Sequence, residues 1–308
     1  MKLISTFPLT VEQTSLITEL GVEVEQITAA QLVNHDVSEY EIVVFGQVYE
    51  PLDFTKFTNL KVLQLGSMGF DMIPLEMLTA RDVKIYNNRN GFTIPTSEMV
   101  VTYILMLYKK MHQLFEQQQA HQFEQIFTLR ELTGQHVTIV GTGHIGTAIA
   151  KRLQAFDCEI TGVNRSGTMR HYFDQCIRMD EIEAVLTKTD ILILALPGNE
   201  QTQNWLSAKR IALLQREAIV VNIGRGSLVD EQALIQALQS QAIAGAALDV
   251  FRQEPLPDES PLWELANVII TPHNAFASSR NQERMFANIY ETVEAYMKGQ
   301  PLATINGK

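Results

Sequence analysis

Short apolar runs alternate along the chain with stretches whose apolar residues recur every third or fourth position. Residues 2–6 are strand-like, and residues 11–20 carry helical spacing. Residues 41–45 and 61–65 are apolar runs closed by glycine, as buried strands often are, and residues 83–86 form another such run. Pro95 then opens a long helical stretch, because a proline in a first helical turn loses no hydrogen bond. Apolar residues follow almost without break from Met99 to Leu107 and thin out through Met111, Leu114 and Phe115. So wide an apolar surface predicts burial on more than one side, either between layers of the chain or at a subunit interface. Residues 117–125 are polar and Gln-rich, and read as a solvated helix end or a connection.

A second series of strand-like runs follows, at residues 136–140, 159–163, 190–196, 218–223 and 242–248, with a shorter one at 268–270. Several are apolar throughout, which predicts a parallel sheet covered on both faces. The tail, residues 281–298, has helical spacing through Met285, Ile289, Val293 and Met297. The fold class expected is α/β, with two doubly wound parallel-sheet domains.

Composition narrows the choice. With 308 residues and roughly 150 per domain, two domains are expected. A net charge of -11 argues against nucleic acid and anionic membranes, since phosphate contacts need Lys and Arg. Cys158 and Cys176 cannot make a disulfide framework, and no Cys/His zinc spacing occurs, so no metal is expected. The N-terminus lacks an apolar signal region, and the run 100–108 is too short for a bilayer, which needs ~20 residues. A reducing, cytoplasmic setting fits these features.

Gly141-Thr142-Gly143-His144-Ile145-Gly146 is a GxGxxG motif between a strand pattern and a helix pattern. In that context it predicts a dinucleotide site. Gly141 permits the tight turn, Gly143 lets backbone approach a pyrophosphate, and Gly146 lets helix and strand pack closely. The anion would rest on the helix N-terminus, where His144 and Ile145 lie beside it. The next strand should end in an acid that holds the adenosine ribose. Here it ends in Asn164, followed by Arg165 and Ser166. Losing the acid removes repulsion toward a 2′-phosphate, and arginine offers a planar charged fork for it. NADP(H) is therefore favoured, with NAD(H) as the alternative.

Residues 221–234, 244–257 and 267–276 each begin apolar and end polar. In a parallel sheet such endings collect at the carboxyl ends of strands, where open α/β folds bind ligands. That would gather Arg225, Asp249, Glu254 and His273 at one crevice. Arginine can clamp a carboxylate bidentately. A glutamate beside a histidine favours the imidazolium and fixes its ring, and such a histidine can protonate a developing alkoxide.

At this point the sequence resembles the D-isomer specific 2-hydroxyacid dehydrogenase family. The likeness rests on GTGHIG, NIGRGSLVDEQAL, LDVFRQEPLP and TPH. The resemblance implies that Arg225, Glu254 and His273 are catalytic and that Asp249 holds the nicotinamide carboxamide. It places Ile223 and Gly224 beside the nicotinamide ribose, and Leu196 and Pro197 beside the adenosine. It implies that backbone amides at Ser67, Met68 and Gly69 hold the substrate carboxylate together with Arg225, while His273 also meets the substrate. It also implies a discontinuous flavodoxin-like substrate domain, residues 1–94 plus 279–308, into which a Rossmann domain, residues 95–278, is inserted. A homodimer built around the helix from Pro95 is implied as well. Val48 and Tyr49 are expected near the substrate side chain. Asn274 and Phe276 depart from the family's usual residues after the histidine, and Phe276 either narrows the pocket or points away.

The expected activity is hydride transfer between NADP(H) and a small 2-oxo or D-2-hydroxy acid, such as glyoxylate or hydroxypyruvate. The alternatives are an NAD-dependent dehydrogenase for bulkier 2-oxo acids and a non-catalytic dinucleotide-sensing protein.

Overall fold

The structure is a computed structural model that describes residues 1–46, 52–70 and 72–307. Its contacts divide the chain into two compact units, Met1–Phe92 with Ser278–Lys308, and Thr93–Ala277.

The first unit has five parallel strands: β1 (Lys2–Ser5), β2 (Glu23–Gln26), β3 (Ile42–Phe45), β4 (Val62–Leu65) and β5 (Lys84–Tyr86), in the order β2-β1-β3-β4-β5. That is the flavodoxin-like order. Side chains alternate between two cores. Ile4, Val43, Phe45, Leu63 and Ile85 enter one, while Leu3, Ile42, Val44 and Val62 enter the other. The second core is closed by Met285, Ile289 and Val293 of the tail helix Asn281–Met297. That helix is tied to the sheet by Thr292, whose hydroxyl donates to Gln64 Oε1 at 2.7 Å.

The second unit has seven parallel strands: β6 (His136–Val140), β7 (Glu159–Asn164), β8 (Gln175–Arg178), β9 (Ile191–Leu194), β10 (Ile219–Asn222), β11 (Gly245–Leu248) and β12 (Val268–Ile270). Their order is β12-β11-β10-β9-β6-β7-β8, which is the doubly wound order with its switch point between β6 and β9. Val140, Leu192, Leu194 and Val220 face one core; Ile139, Ile191, Ile193 and Val221 face the other. The β-branched, all-apolar strands are thus covered on both faces, as their sequence requires.

Two strands are absent from the sequence expectation, β2 and β8. Both are edge strands, with much of their length open to solvent, so neither needs the apolar run that marks a buried strand. The helix expected from Pro95 begins at Thr93, which leaves Pro95 in the first turn, where no intrahelical N–H partner exists. It also stops short of the sparser apolar positions Met111, Leu114 and Phe115. Lys110 adopts a left-handed φ of 48° and separates Thr93–Tyr108 from a second helix, Met111–Gln119. The break lets Lys109 and Lys110 turn back, their amines donating to Arg130 O at 2.6 Å and Thr128 Oγ1 at 2.7 Å. No helix among the described residues is long and apolar enough to cross a membrane.

Candidate active site

Strand register sets the site. Val140, Leu194, Asn222, Leu248 and Ile270 form one row across β6, β9, β10, β11 and β12. Every polar segment singled out in this unit's sequence begins just past that row or past β7 beside it. All therefore leave the same carboxyl edge of the sheet.

The glycine motif shows three distinct constraints. Gly141 has φ of 107°, and a side chain there would meet Ala195 O at 2.5 Å. A side chain at Gly146 would meet Gly141 O at 1.9 Å, so helix His144–Leu153 packs directly on the turn. A side chain at Gly143 would meet only open space. Gly143 is also the helix N-cap, and no side chain caps it. Uncapped N–H groups facing an open approach suit an anion, and these residues fit a dinucleotide's pyrophosphate. His144 is exposed at the first helical position, and Ile145 packs partly into the core.

At the end of β7 the structure gives Asn164 a local task. Its amide donates to Thr142 Oγ1 at 3.1 Å and Thr168 O at 3.0 Å, and its oxygen accepts from Ser166 N at 3.2 Å and Ser166 Oγ at 3.3 Å. Asn164 therefore braces the 164–168 turn against the glycine motif rather than reaching outward. Of the two arginines at this edge, Arg178 forms two hydrogen bonds with Asp180, both at 3.0 Å. Arg165 is exposed, and among the described residues no carboxylate pairs with it. Leu196 and Pro197 follow β9, in a loop held by Thr202 Oγ1 donating to Pro197 O at 2.8 Å.

Past β10, Asn222 shapes the next loop. Its oxygen accepts from Gly224 N at 3.2 Å and its amide donates to Arg225 O at 3.0 Å. Ile223 N–H donates to Leu194 O at 3.2 Å, which keeps this loop beside the one after β9. Arg225 is half-buried, with Nη1 donating to Gly224 O at 2.8 Å and its stem against Gly198. Glu254 follows β11 and His273 follows β12, and His273 Nδ1 meets Glu254 Oε2 at 2.8 Å. Glu254's other oxygen accepts from Phe251 N at 3.0 Å, so the carboxylate is held at both ends. With Nδ1 committed, Nε2 is the ring atom left for a ligand. His273 has φ of 50°, a left-handed conformation that costs about 1–3 kcal/mol and persists only where its surroundings enforce it.

Asp249 supplies much of that enforcement. The residue is 2% exposed. Oδ1 accepts from Thr271 Oγ1 at 2.7 Å and Asn274 N at 2.8 Å, and Oδ2 accepts from Ala275 N at 3.0 Å, while its main-chain oxygen accepts from His273 N at 2.8 Å. Asp249 thus gathers the whole 271–275 loop. Among the described residues a single protein donor, Ala275 N, reaches Oδ2, which leaves that oxygen with acceptor capacity for an amide N–H. Tyr103 joins this cluster from the helix Thr93–Tyr108, its hydroxyl 2.6 Å from Thr271 Oγ1 and 3.3 Å from Asp249 Oδ1. Burial pushes its phenol far above the ordinary range, which keeps it a neutral donor. Phe276 does not point away, because its ring meets His273 edge-to-face at 6.2 Å between centroids.

Sequence reasoning did not find Tyr103, Thr142 or Asn222. Tyr103 carried a signal: it sits in an aliphatic stripe with Val100, Ile104 and Leu107, and a buried phenol needs a partner for its tip.

In the first unit, the Ser67–Gly69 turn follows β4. Its carbonyls are engaged: Ser67 O accepts from Asn88 N at 3.0 Å and Met68 O from Asn87 Nδ2 at 2.8 Å. Gly69 O accepts from Ser67 Oγ at 2.6 Å. Among the described residues no protein acceptor takes the N–H groups of Ser67, Met68 or Gly69. Val48 and Tyr49 lie outside the described residues.

Comparison with known proteins agrees with this architecture. The family model for the NAD-binding domain of D-isomer specific 2-hydroxyacid dehydrogenases matches residues 101–275. A glyoxylate reductase of Thermofilum pendens is 32% identical over 256 residues, 80% of this chain and 75% of that protein. A glyoxylate/hydroxypyruvate reductase of Arabidopsis thaliana is 32% identical over 256 residues, 80% of this chain and 78% of its own. Among solved structures, an NADPH-dependent glyoxylate/hydroxypyruvate reductase of Sinorhizobium meliloti, in complex with citrate, superposes with a TM-score of 0.82 at 26% identity. That match covers 99% of this chain and 97% of the other.

Proposed function

The chain belongs to the D-isomer specific 2-hydroxyacid dehydrogenase family, and from that premise we propose that this NAD(P)-dependent enzyme reduces small 2-oxo acids, such as glyoxylate or hydroxypyruvate, with NADPH. The observation that carries the reading is the His273–Glu254 pair at 2.8 Å, on the sheet edge that also presents Arg225 and the glycine motif. The names of the relatives support the small-acid substrate. Asn164 in place of an acid, and an exposed Arg165 that pairs with no carboxylate among the described residues, support the phosphorylated dinucleotide.

A bound nicotinamide would supply the hydride. The chain's residues do the rest. Gly143, His144 and Ile145 would meet the pyrophosphate on a turn that Gly141 and Gly146 allow to form, with Leu196 and Pro197 beside the adenosine. Arg165 and Ser166 bind the 2′-phosphate on a turn that Asn164 shapes. Ile223 and Gly224 line the nicotinamide ribose, and Asp249 Oδ2 accepts from the carboxamide. Arg225 clamps the substrate carboxylate and polarises the carbonyl, drawing on its fixed donor geometry. Ser67, Met68 and Gly69 offer that carboxylate their N–H groups. His273, with Nδ1 held by Glu254, donates from Nε2 to the oxygen that gains charge. The reduced product would be a D-2-hydroxy acid.

We also propose a homodimer. Phe123 and Phe127 are 103% and 88% exposed in a Gln-rich segment that otherwise prefers water, and Phe115 stands exposed on the helix before it. Apolar rings left so exposed along one segment support a surface that a second copy covers.

The deciding experiment is an absorbance assay of purified protein with NADPH and NADH against glyoxylate, hydroxypyruvate, pyruvate, 2-oxoisocaproate and phenylpyruvate. NADPH with glyoxylate or hydroxypyruvate is expected to turn over fastest. Faster turnover of a bulky acid with NADH would replace both the substrate and the cofactor reading. Arg165→Ala is expected to weaken NADPH by about tenfold or more, the worth of a charge-assisted phosphate contact, and to leave NADH nearly unchanged. Equal weakening of both would remove the 2′-phosphate role.

A further inference from the structure

We propose that Tyr103 is a positioning residue for proton transfer, acting on His273 through a one-way hydrogen-bond relay, Tyr103 to Thr271 to Asp249. The inference rests on the reading of His273 as the proton donor.

The direction of the relay follows from proton counting. Thr271 has one hydroxyl proton. Asp249 Oδ1, 2.7 Å away, already accepts from Asn274 N at 2.8 Å, and that hydroxyl is the donor. Thr271 Oγ1 can then only accept from Tyr103, at 2.6 Å. The 3.3 Å approach of the phenol to Asp249 Oδ1 adds a weaker, bifurcated contact. Tyr103 is 1% exposed, so its phenol meets these two side chains rather than bulk water. The relay ends on the carboxylate that ties down Asn274 and Ala275, and Asp249's main-chain oxygen holds His273 itself. Since His273 keeps a left-handed φ of 50°, its Nε2 position depends on this clamp. Small displacements of a reacting group cost turnover far more than they cost binding.

The phenol is thus a strut between a helix and the catalytic loop. Removing its hydroxyl leaves the aromatic packing in place and takes the donor away from Thr271 Oγ1, so that the Thr271 hydroxyl is aimed at Asp249 Oδ1 less firmly. The expected signature is a fall in kcat without a matching change in dinucleotide affinity or in substrate KM.

The test is a cycle of Tyr103→Phe, Thr271→Val and the double variant, with Thr271→Ser as the conservative control. Steady-state kinetics would be read beside dinucleotide Kd by fluorescence and Tm. Tyr103→Phe and Thr271→Val are each expected to lower kcat by about 5- to 30-fold, within the range of modest misplacement. The double variant should be little worse than Thr271→Val, because both act along one path. Thr271→Ser should retain most of kcat, with Kd within about twofold of the unmodified protein, as its hydroxyl preserves the relay. An unchanged kcat in Tyr103→Phe would overturn the proposal. So would losses that multiply in the double variant, or a Thr271→Ser protein as slow as Thr271→Val. Should Tyr103→Phe fail to fold, the Thr271 pair still decides, since Thr271 is only half-buried. If His273→Gln leaves turnover intact, the functional reading itself fails. A His273-dependent enzyme indifferent to Tyr103→Phe sinks the relay alone.

Discussion

Three contacts hold His273 in its left-handed backbone: a hydrogen bond to Glu254, a main-chain bond to Asp249 and an edge-on ring from Phe276. That is more constraint than a surface histidine needs, although its side chain is 44% exposed. The excess is intelligible when one ring nitrogen must meet a reacting oxygen in a fixed direction. His273→Gln is therefore expected to lower kcat by about 10²- to 10⁴-fold, the usual worth of a positioned general acid. NADPH affinity should persist, since the glycine motif is untouched. Glu254→Gln should cost less, because an amide oxygen can still receive Nδ1–H although the charge is gone. Stopped-flow turnover beside equilibrium dinucleotide binding checks both. Loss of binding together with activity would show that His273 supports the fold rather than the proton.

Among the elements, the turn from β6 into helix His144–Leu153 separates structural from ligand-facing glycines. A methyl at Gly146 would lie 1.9 Å from Gly141 O, whereas one at Gly143 meets nothing. Overpacking of the first kind costs about 1–3 kcal/mol or more, which lowers Tm by roughly 2–12 °C in a unit of this size. Gly146→Ala should show that loss. Gly143 has φ of -74°, open to any residue, so Gly143→Ala should melt like the unmodified protein. It should nevertheless bind NADPH about tenfold more weakly, because a side chain would stand where phosphate must approach backbone N–H groups. Normal binding by Gly143→Ala would mean that the pyrophosphate lies elsewhere.

For the whole molecule, the exposed aromatic segment and the broad apolar helix lead to one expectation about assembly. Light scattering at micromolar concentration should give the mass of a dimer. Replacing Phe123 and Phe127 together by serine should shift it toward monomer, since each buried aromatic contributes about 1.5–3 kcal/mol to an interface. A monomeric unmodified protein would show that these rings serve another purpose. The division into two units belongs to the same scale. The tail helix Asn281–Met297 closes the core of a unit begun nearly the whole chain earlier, with Met285, Ile289 and Val293 packed beside Leu3 and Ile17.

The sequence by itself determined the parallel α/β class, because strands buried on both faces must be apolar throughout, and 191–194 and 219–222 can be little else. It determined the glycine turn, since only glycine tolerates the φ of Gly141 and the contact at Gly146. It also named Arg225, Glu254 and His273, whose types announce their chemistry. It did not reveal the edge strands β2 and β8, which have one side in water and so carry no continuous apolar mark. It did not reveal the break at Lys110, where two lysines reach back to a distant segment. Above all, it left Phe276 between two readings, did not find Tyr103, and did not show the loops that Asn164 and Asp249 brace. Their roles depend on which atoms lie within three or so ångströms, and register alone sets that. The row from Val140 to Ile270 brings β11 and β12 side by side, and only then does a tyrosine 146 residues before Asp249 come to lean on the loop that aims His273.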